Sequence, residues 1–218
     1  MSAASADLRY RTARADRRRP LERDFYARST EAIARDLLGK WLLRQTDDGL
    51  CGGPIVETEA YGGPEDLASH ARAGRTRRTA PMFGRVGHAY VYVVYGLHEC
   101  LNVVAYSDSQ AGAVLIRAIE PAVGVDLMRA RRGRPHDPDG RLCAGPARLC
   151  QALAVDRALD GHDLTTGDEL WLAEGPPASA SVEIVSGTRI GVAYASDGWN
   201  LKPWRFWLAG HASVSRPR

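Results

Sequence analysis

WLLRQTDDGLCGGPIVETEAY, residues 41–61, is the stretch on which the fold turns. Thr46-Asp47-Asp48-Gly49 is an Asp-Gly turn signal between two apolar runs, so the segment predicts a β-hairpin. Alternation along its second strand puts Ile55, Glu57, Glu59 and Tyr61 on one face and Val56, Thr58 and Ala60 on the other. A carboxylate and an aromatic ring become neighbours by construction.

Upstream, Ser29 or Thr30 caps a run in which Ile33, Ala34, Leu37 and Leu38 recur at helical spacing, with Gly39 as the stop. Order is expected to begin there. Residues 1–24 carry seven arginines and no hydrophobic period, reading as a flexible, Arg-rich arm ahead of a domain spanning 25–218. Downstream, residues 62–87 are rich in Gly, Pro, Arg and Thr and read as a long loop, the kind that usually carries function. AYVYVVYG then predicts a strand, LNVVAY pairs back on it through a turn at Gly96–Glu99, and AVLIRAIEP reads as a buried strand. A helix is expected over Gly124–Arg132, and Gly145-Pro146 opens another running to about Leu153. Val182–Trp207 alternates weakly. The order of elements predicts a mixed α/β (α+β) single domain, with a curved, largely antiparallel β-sheet flanked by helices and a protruding β-hairpin.

Composition narrows the function classes. With 218 residues, 44% hydrophobic and 25% charged, the chain is globular in type, and no run of roughly 18 apolar residues is present to span a bilayer. No apolar stretch follows the basic residues of the opening segment, so a secretory signal is not expected. The working compartment is expected to be cytoplasmic and nucleoid-associated in a bacterium, or the nucleus in a eukaryote. Cys51, Cys100, Cys143 and Cys150 lie far apart without CxxC pairing, which argues against a disulfide scaffold and a structural zinc site. The net charge is +3, carried by twenty-seven arginines against two lysines, Lys40 and Lys202. Arginine binds phosphate bidentately and stacks on bases, so the bias suits a nucleic-acid partner, although GC-rich codon usage produces it too. The scarcity of lysine leaves few amines for Schiff-base chemistry.

Glu57, Glu59, Glu65, Asp66 and His70 form an acidic cluster with one imidazole. Taken alone it admits three readings: a divalent-metal site, an acid–base pair for a glycosidic bond, or a solvated loop. Tyr61, Tyr90, Tyr92 and Tyr95 sit on strands expected to converge beside it. Aromatic walls around a carboxylate describe a pocket for a flat, cationic ring.

IVETEAYGGPEDLASHARAGRT, MFGRVGHAYVYVVYGLHECLNVV, AVLIRAIEP, LCAGPARLCQAL, RIGVAY and KPWRF, in that order and spacing, resemble the alkyladenine (3-methyladenine) DNA glycosylase family over roughly residues 29 to 215. The resemblance implies a monofunctional glycosylase of base excision repair, acting as a monomer on double-stranded DNA and using no metal or cofactor. Such an enzyme flips alkylated or deaminated purines (3-methyladenine, 7-methylguanine, hypoxanthine, ethenoadenine) out of the duplex and hydrolyses the N-glycosidic bond, leaving an abasic site.

It also implies residue roles. Glu59 activates the water, Arg117 helps to hold it, and the main-chain carbonyl of Ile190 is its third partner. Glu57 matches no such role and reads as structural. Tyr61 and His70 pack on one side of the flipped base and Tyr92 on the other, while Asn102 crowds the exocyclic amino group of normal guanine. Tyr95, out of phase with Tyr90 and Tyr92, resembles the wedge that fills the gap in the duplex. Arg75, Arg77, Arg78 and Arg148 are expected on phosphates. The sequence departs from the family pattern at Arg77-Arg78-Thr79-Ala80, Arg85-Val86 and His98, positions that bear on loop contacts and lesion range.

Overall fold

Two adjacent glycines set how closely the chain approaches its own longest strand. In the computed structural model, which describes residues 18–106, 111–175 and 183–215, Gly52 and Gly53 lie inside β2 (Gly49–Tyr61). A Cβ on Gly53 would stand 1.8 Å from the Glu120 carbonyl oxygen, and one on Gly52 2.2 Å from that of Leu42. Only hydrogen fits at either place. The first half of β2 therefore pairs with β1 (Trp41–Thr46) as segment 120–123 crosses close by, with the Gly52 and Val123 N–H groups donating to each other's carbonyls at 3.0 Å.

The second half of β2 is flanked on both sides. β5 (Ala113–Ile119) pairs along one edge and β8 (Arg205–Leu208) along the other. The sheet runs β3 (Ala89–Val94), β4 (His98–Val104), β5, β2, β1 and β6 (Leu170–Ala173), while β7 (Ile184–Gly187) extends it beyond β8. Every strand pairing among the described residues is antiparallel. This is the expected mixed single domain with an open sheet and few helices.

The helices are α1 (Arg23–Tyr26), α2 (Thr30–Asp36), α3 (Val125–Arg132), α4 (Asp139–Leu142) and α5 (Pro146–Leu153). Ser29 caps α2 by accepting the Ala32 N–H, and Gly39, at φ +84°, follows its end. Ile33 and Ala34 of α2 and Leu149 and Leu153 of α5 share one core cluster with Ala60, Val91, Leu101, Val103, Val114 and Ile116. Those strand residues are the alternate positions of β2 to β5, so one sheet face is the core. The Thr58 hydroxyl, on the same side, donates to the Ala34 carbonyl at 2.7 Å and ties α2 to the central strand.

Two expectations are corrected. Order begins earlier than Ser29: the Leu21 N–H donates to the Leu172 carbonyl at 2.7 Å, Tyr26 of α1 is fully buried, and Arg23 reaches Asp163 at 2.5 Å. The cause is the outer edge of β6, which offers backbone acceptors to a segment too short in apolar residues to show a period. The expected arm thus ends in an ordered stretch, residues 18–24, and its residues 1–17 lie outside the described ones. Ile55 joins the core cluster rather than the carboxylate face. A bulge between Ile55 and Glu57 inserts Val56 and shifts the alternation by one.

Gly53→Ala should destabilise the fold by about 1–3 kcal/mol or more, because backbone rather than a flexible side chain occupies the space of the new methyl group. Urea unfolding of the variant checks this; an unchanged midpoint would contradict it.

Candidate active site

The pairing registers carry one line of residues across five strands. Tyr90 of β3 faces Asn102 of β4, Asn102 faces Leu115 of β5, Leu115 faces Glu59 of β2, and Glu59 faces Arg205 of β8. Opposed residues share a face, and two steps along lie Tyr92 opposite Cys100 and Tyr61 opposite Ala113. This is the face turned away from the core. Loop 62–87 and segment 188–195 cover it and enclose a cavity of about 420 Å³, with Tyr61, His70, Tyr92, Asn102, Arg117 and Ile190 in its wall. A flat heterocycle fits such a volume.

Behind that wall lies a buried ionic cluster. A second bulge, between Glu57 and Thr58, leaves Arg117 as the extra residue on β5. Its guanidinium lies between two carboxylates: Nε donates to Glu57 Oε1 at 2.8 Å and Nη1 stands 3.2 Å from Glu59 Oε1. Glu57 also accepts from Arg205 Nε at 2.7 Å and from the Ser215 N–H at 2.7 Å and hydroxyl at 2.9 Å. Burial alone would push the Glu57 carboxyl up, but Arg117, Ser215 and Arg205 outweigh it and hold it below its ordinary value. Both oxygens of Glu57 are thus engaged. Arg117 is opposed by burial yet held cationic, its pKa raised by Glu59 and Glu57.

Glu59 differs from Glu57 in what it touches. The Ile190 N–H donates to its Oε1 at 2.7 Å and the Tyr61 hydroxyl to its Oε2 at 2.8 Å. It has no exposed surface, and the cavity is walled by its three partners rather than by the carboxylate itself. Ile190 thus reaches Glu59 through its N–H, whereas the expectation concerned its carbonyl. Burial, then the charge of Glu59, raises the Tyr61 phenol well above its ordinary value, so its hydroxyl stays a donor.

The rings group otherwise than expected. His70 stands with Tyr92, edge to face at a centroid separation of 4.6 Å, rather than as the partner of Tyr61. The reason is a hydrogen bond of 3.0 Å between His70 Nδ1 and the Tyr90 hydroxyl, which draws the imidazole onto β3. Burial, reinforced by Arg78 and Arg72, lowers the His70 pKa to about 4. Asn102 is buried, and its Nδ2 donates to the Tyr90 carbonyl at 3.1 Å, which fixes the amide at the cavity floor.

Of the four expected phosphate contacts, Arg75 and Arg77 are exposed on the loop. Arg78 lies at the cavity, its guanidinium 5.3 Å from the Tyr92 ring centroid and donating to the Val93 carbonyl at 3.3 Å. Arg148 is half-buried beside Ala144. Tyr95 sits at the tip of the β3–β4 hairpin, 91% exposed, with φ +54° followed by Gly96 at +70°. A bulky residue rarely adopts that backbone, and here it turns a large ring to the outside.

Sequence reasoning missed Arg189. Its guanidinium grips both oxygens of Asp66, at 2.6 and 3.0 Å, donates to the carbonyls of Ala60 and Trp199, and lies 4.9 Å from the Tyr61 ring. This buried pair ties the start of the loop to the residue before Ile190, and so sets the Ile190 N–H on Glu59. The only signal available was an arginine directly before the isoleucine of RIGVAY, with Asp66 more than a hundred residues away.

The family described as methylpurine-DNA glycosylase matches residues 24–212. The chain belongs to that family. It is similar to a protein of Methanocella arvoryzae, 46% identical over 198 residues that cover 90% of this chain and 96% of the relative. It is equally similar to one of Carboxydothermus hydrogenoformans, 46% identical over 196 residues covering 90% and 98%. Both bear 3-methyladenine DNA glycosylase as a provisional name. The mouse protein named DNA-3-methyladenine glycosylase is 44% identical over 203 residues, covering 88% of this chain and 60% of its own length. The chain is therefore a DNA glycosylase, a hydrolase of DNA repair.

The position of His70 has a pH consequence. Its imidazole is neutral in the folded protein down to about pH 4, while in the unfolded chain it takes up a proton near pH 6.5. Folding stability contributed here is present above about pH 6.5 and is lost as pH falls toward 4. Comparing urea midpoints of wild type and His70→Asn at pH 7 and pH 5 should show a smaller acid loss in the variant. Equal losses would contradict the assignment.

Proposed function

We propose that this glycosylase extrudes alkylated and deaminated purines from duplex DNA and hydrolyses their N-glycosidic bonds with water activated by Glu59. The observation that carries the reading is a single carboxylate, oriented by Arg117, the Ile190 N–H and the Tyr61 hydroxyl, set directly behind an aromatic cavity of about 420 Å³.

A second cleft, about 830 Å³, adjoins this cavity, and Arg117, Pro146 and Ile190 line both spaces. That arrangement suits displacement from the face opposite the departing base. The base occupies the aromatic cavity, and water approaches C1′ from the second cleft beside Arg117. Glu59 takes the proton from the water as its oxygen bonds to C1′, and the C1′–N9 electron pair leaves with the purine. A purine alkylated at N3 or N7 departs neutral, so one carboxylate is sufficient for it; an uncharged base such as hypoxanthine departs neutral only after taking up a proton at N7. The negative charge of Glu59 also favours the oxocarbenium-like transition state.

Tyr61 forms one wall of the base site, His70 and Tyr92 the adjoining one. Electron-rich rings favour a cationic purine between them, and a neutral His70 does not repel it. Asn102, held by Tyr90, excludes the 2-amino group of guanine. Tyr95 fills the gap left by the extruded nucleotide, its strained turn presenting the ring outward. The protein acts as a monomer on DNA in the nucleoid or nucleus.

Glu59→Gln and Tyr95→Ala separate these roles. Removing the charge at Glu59 should lower the single-turnover rate by at least about a hundredfold while lesion binding survives, the usual scale for a positioned base. Removing the Tyr95 ring should lower affinity and rate together, by about fivefold to a hundredfold, matching a stacking contribution of roughly 1–3 kcal/mol. Placing hypoxanthine in an unpaired site, which is cheaper to open, should partly rescue Tyr95→Ala and leave Glu59→Gln unchanged. Near wild-type cleavage by Glu59→Gln would overturn the catalytic assignment.

A further inference from the structure

Beyond β8 the chain turns at Gly210, where φ is +66°, and doubles back beside the strand it has just left. Ser215 is buried there and pinned by its main chain. Its N–H donates to Glu57 Oε2 at 2.7 Å, and its carbonyl accepts from Arg205 Nη2 at 3.0 Å. These two bonds dock the segment without help from the side chain. The hydroxyl nonetheless makes two more, donating to Glu57 Oε1 at 2.9 Å and accepting from Arg117 Nη2 at 3.2 Å.

The Arg117 guanidinium shows what the last of these bonds does. Its hydrogen bonds run from Nε to Glu57 and from Nη2 to Ser215, while Nη1 meets Glu59 Oε1 as an ion pair at 3.2 Å. Directional contacts orient a planar group more firmly than charge alone does. How Arg117 faces Glu59 is therefore decided by Glu57 and Ser215. Ser215, Arg117 and Ile190 also line the cleft of about 830 Å³ assigned above to the attacking water. We propose that Ser215 is a positioning residue for hydrolysis, its hydroxyl holding the Arg117 guanidinium in the orientation that leaves a Glu59 lone pair for the water's proton. The assignment rests on the reading of Glu59 as the residue that activates water. Without the hydroxyl, Nη2 loses its acceptor, and a buried donor left unmet is costly. The guanidinium relieves that cost by turning a second N–H onto Glu59, since a two-pronged grip is the favoured geometry between arginine and a carboxylate. The lone pair needed for the proton is then occupied.

Ser215→Ala tests this, because both main-chain bonds that dock the segment remain. Excision of hypoxanthine from a duplex is followed in single turnover over a range of enzyme concentrations, which separates the saturating rate from the half-saturating concentration. Ser215→Ala should lower the saturating rate by about tenfold to a hundredfold, the scale of a small misplacement among reacting groups. The half-saturating concentration should not change. Ser215→Thr, which keeps the hydroxyl, should recover most of the rate. In an Arg117→Lys background, where no Nη2 is present to be held, Ser215→Ala should cost no further rate. Melting temperatures and the fraction of enzyme that turns over are measured alongside, because a merely structural role would lower these and spare the rate constant of the folded molecules. A saturating rate close to wild type in folded Ser215→Ala would overturn the proposal. So would equal losses in Ser215→Ala and Ser215→Thr, or a loss that persists undiminished in the lysine background. Glu59→Gln is assayed in the same series. Cleavage by it at near wild-type rate would sink the carboxylate reading whatever Ser215 does, whereas slow cleavage by it beside a normal Ser215→Ala would refute the positioning role alone.

Discussion

Burying Glu57 and Glu59 beside each other is the constraint on which the rest of the molecule depends. Two carboxylates without solvent contact are tolerated only where cations and donors meet them, since each uncompensated buried charge costs several kcal/mol. Arg117 supplies the cation between them, and a β-bulge supplies Arg117 by leaving it without a backbone partner on β2. Arg205 from β8 and Ser215 near the C-terminus complete Glu57. Ile190 and Tyr61 complete Glu59. The ionic cluster thus exists only when β2, β5, β8 and the last described segment are all in place. Folding and assembly of the Glu59 carboxylate with its partners are one event.

The two carboxylates diverge in role because of how many partners each has. Glu57 is saturated by two arginines and a serine, which suits an anchor. One oxygen of Glu59 is held by Ile190 and Arg117, while the other meets, among the described residues, only the Tyr61 hydroxyl, on a ring that lines the cavity. The Asp66–Arg189 pair, with its guanidinium over the Tyr61 ring, fixes this frame.

Much of this was legible in residues 41–61 and 89–119, because period-two alternation is a local signal. The hairpin, the three central strands, and the placement of Glu59 and Tyr61 on one face follow from it, while Tyr92 and Asn102 were brought to the pocket by the family resemblance. The bulges do not, since an inserted residue looks like any other until its partner strand is known; Ile55 went to the wrong face for that reason. The grouping of His70 with Tyr92 depends on a hydrogen bond to Tyr90, twenty residues away, and loop residues carry no periodicity to reveal it. Arg189 and Asp66 meet across 123 residues, a distance at which only assembled structure, or the family's pattern of residues, speaks. The ordered segment 18–28 was hidden by its arginines, which read as solvated although Arg23 is folded against Asp163.

Aromatic rings face the cavity, one carboxylate is buried directly behind them, and an exposed tyrosine stands on a strained turn at the tip of the β3–β4 hairpin. The central claim is hydrolysis by a carboxylate-activated water, without a covalent bond to the sugar. It is tested most directly by a single-turnover reaction on a hypoxanthine duplex in excess chelator, followed by borohydride. The account predicts free hypoxanthine and an uncut strand with an abasic site, with no protein–DNA adduct. An adduct trapped by borohydride, or strand cleavage that requires added magnesium or manganese, would contradict it.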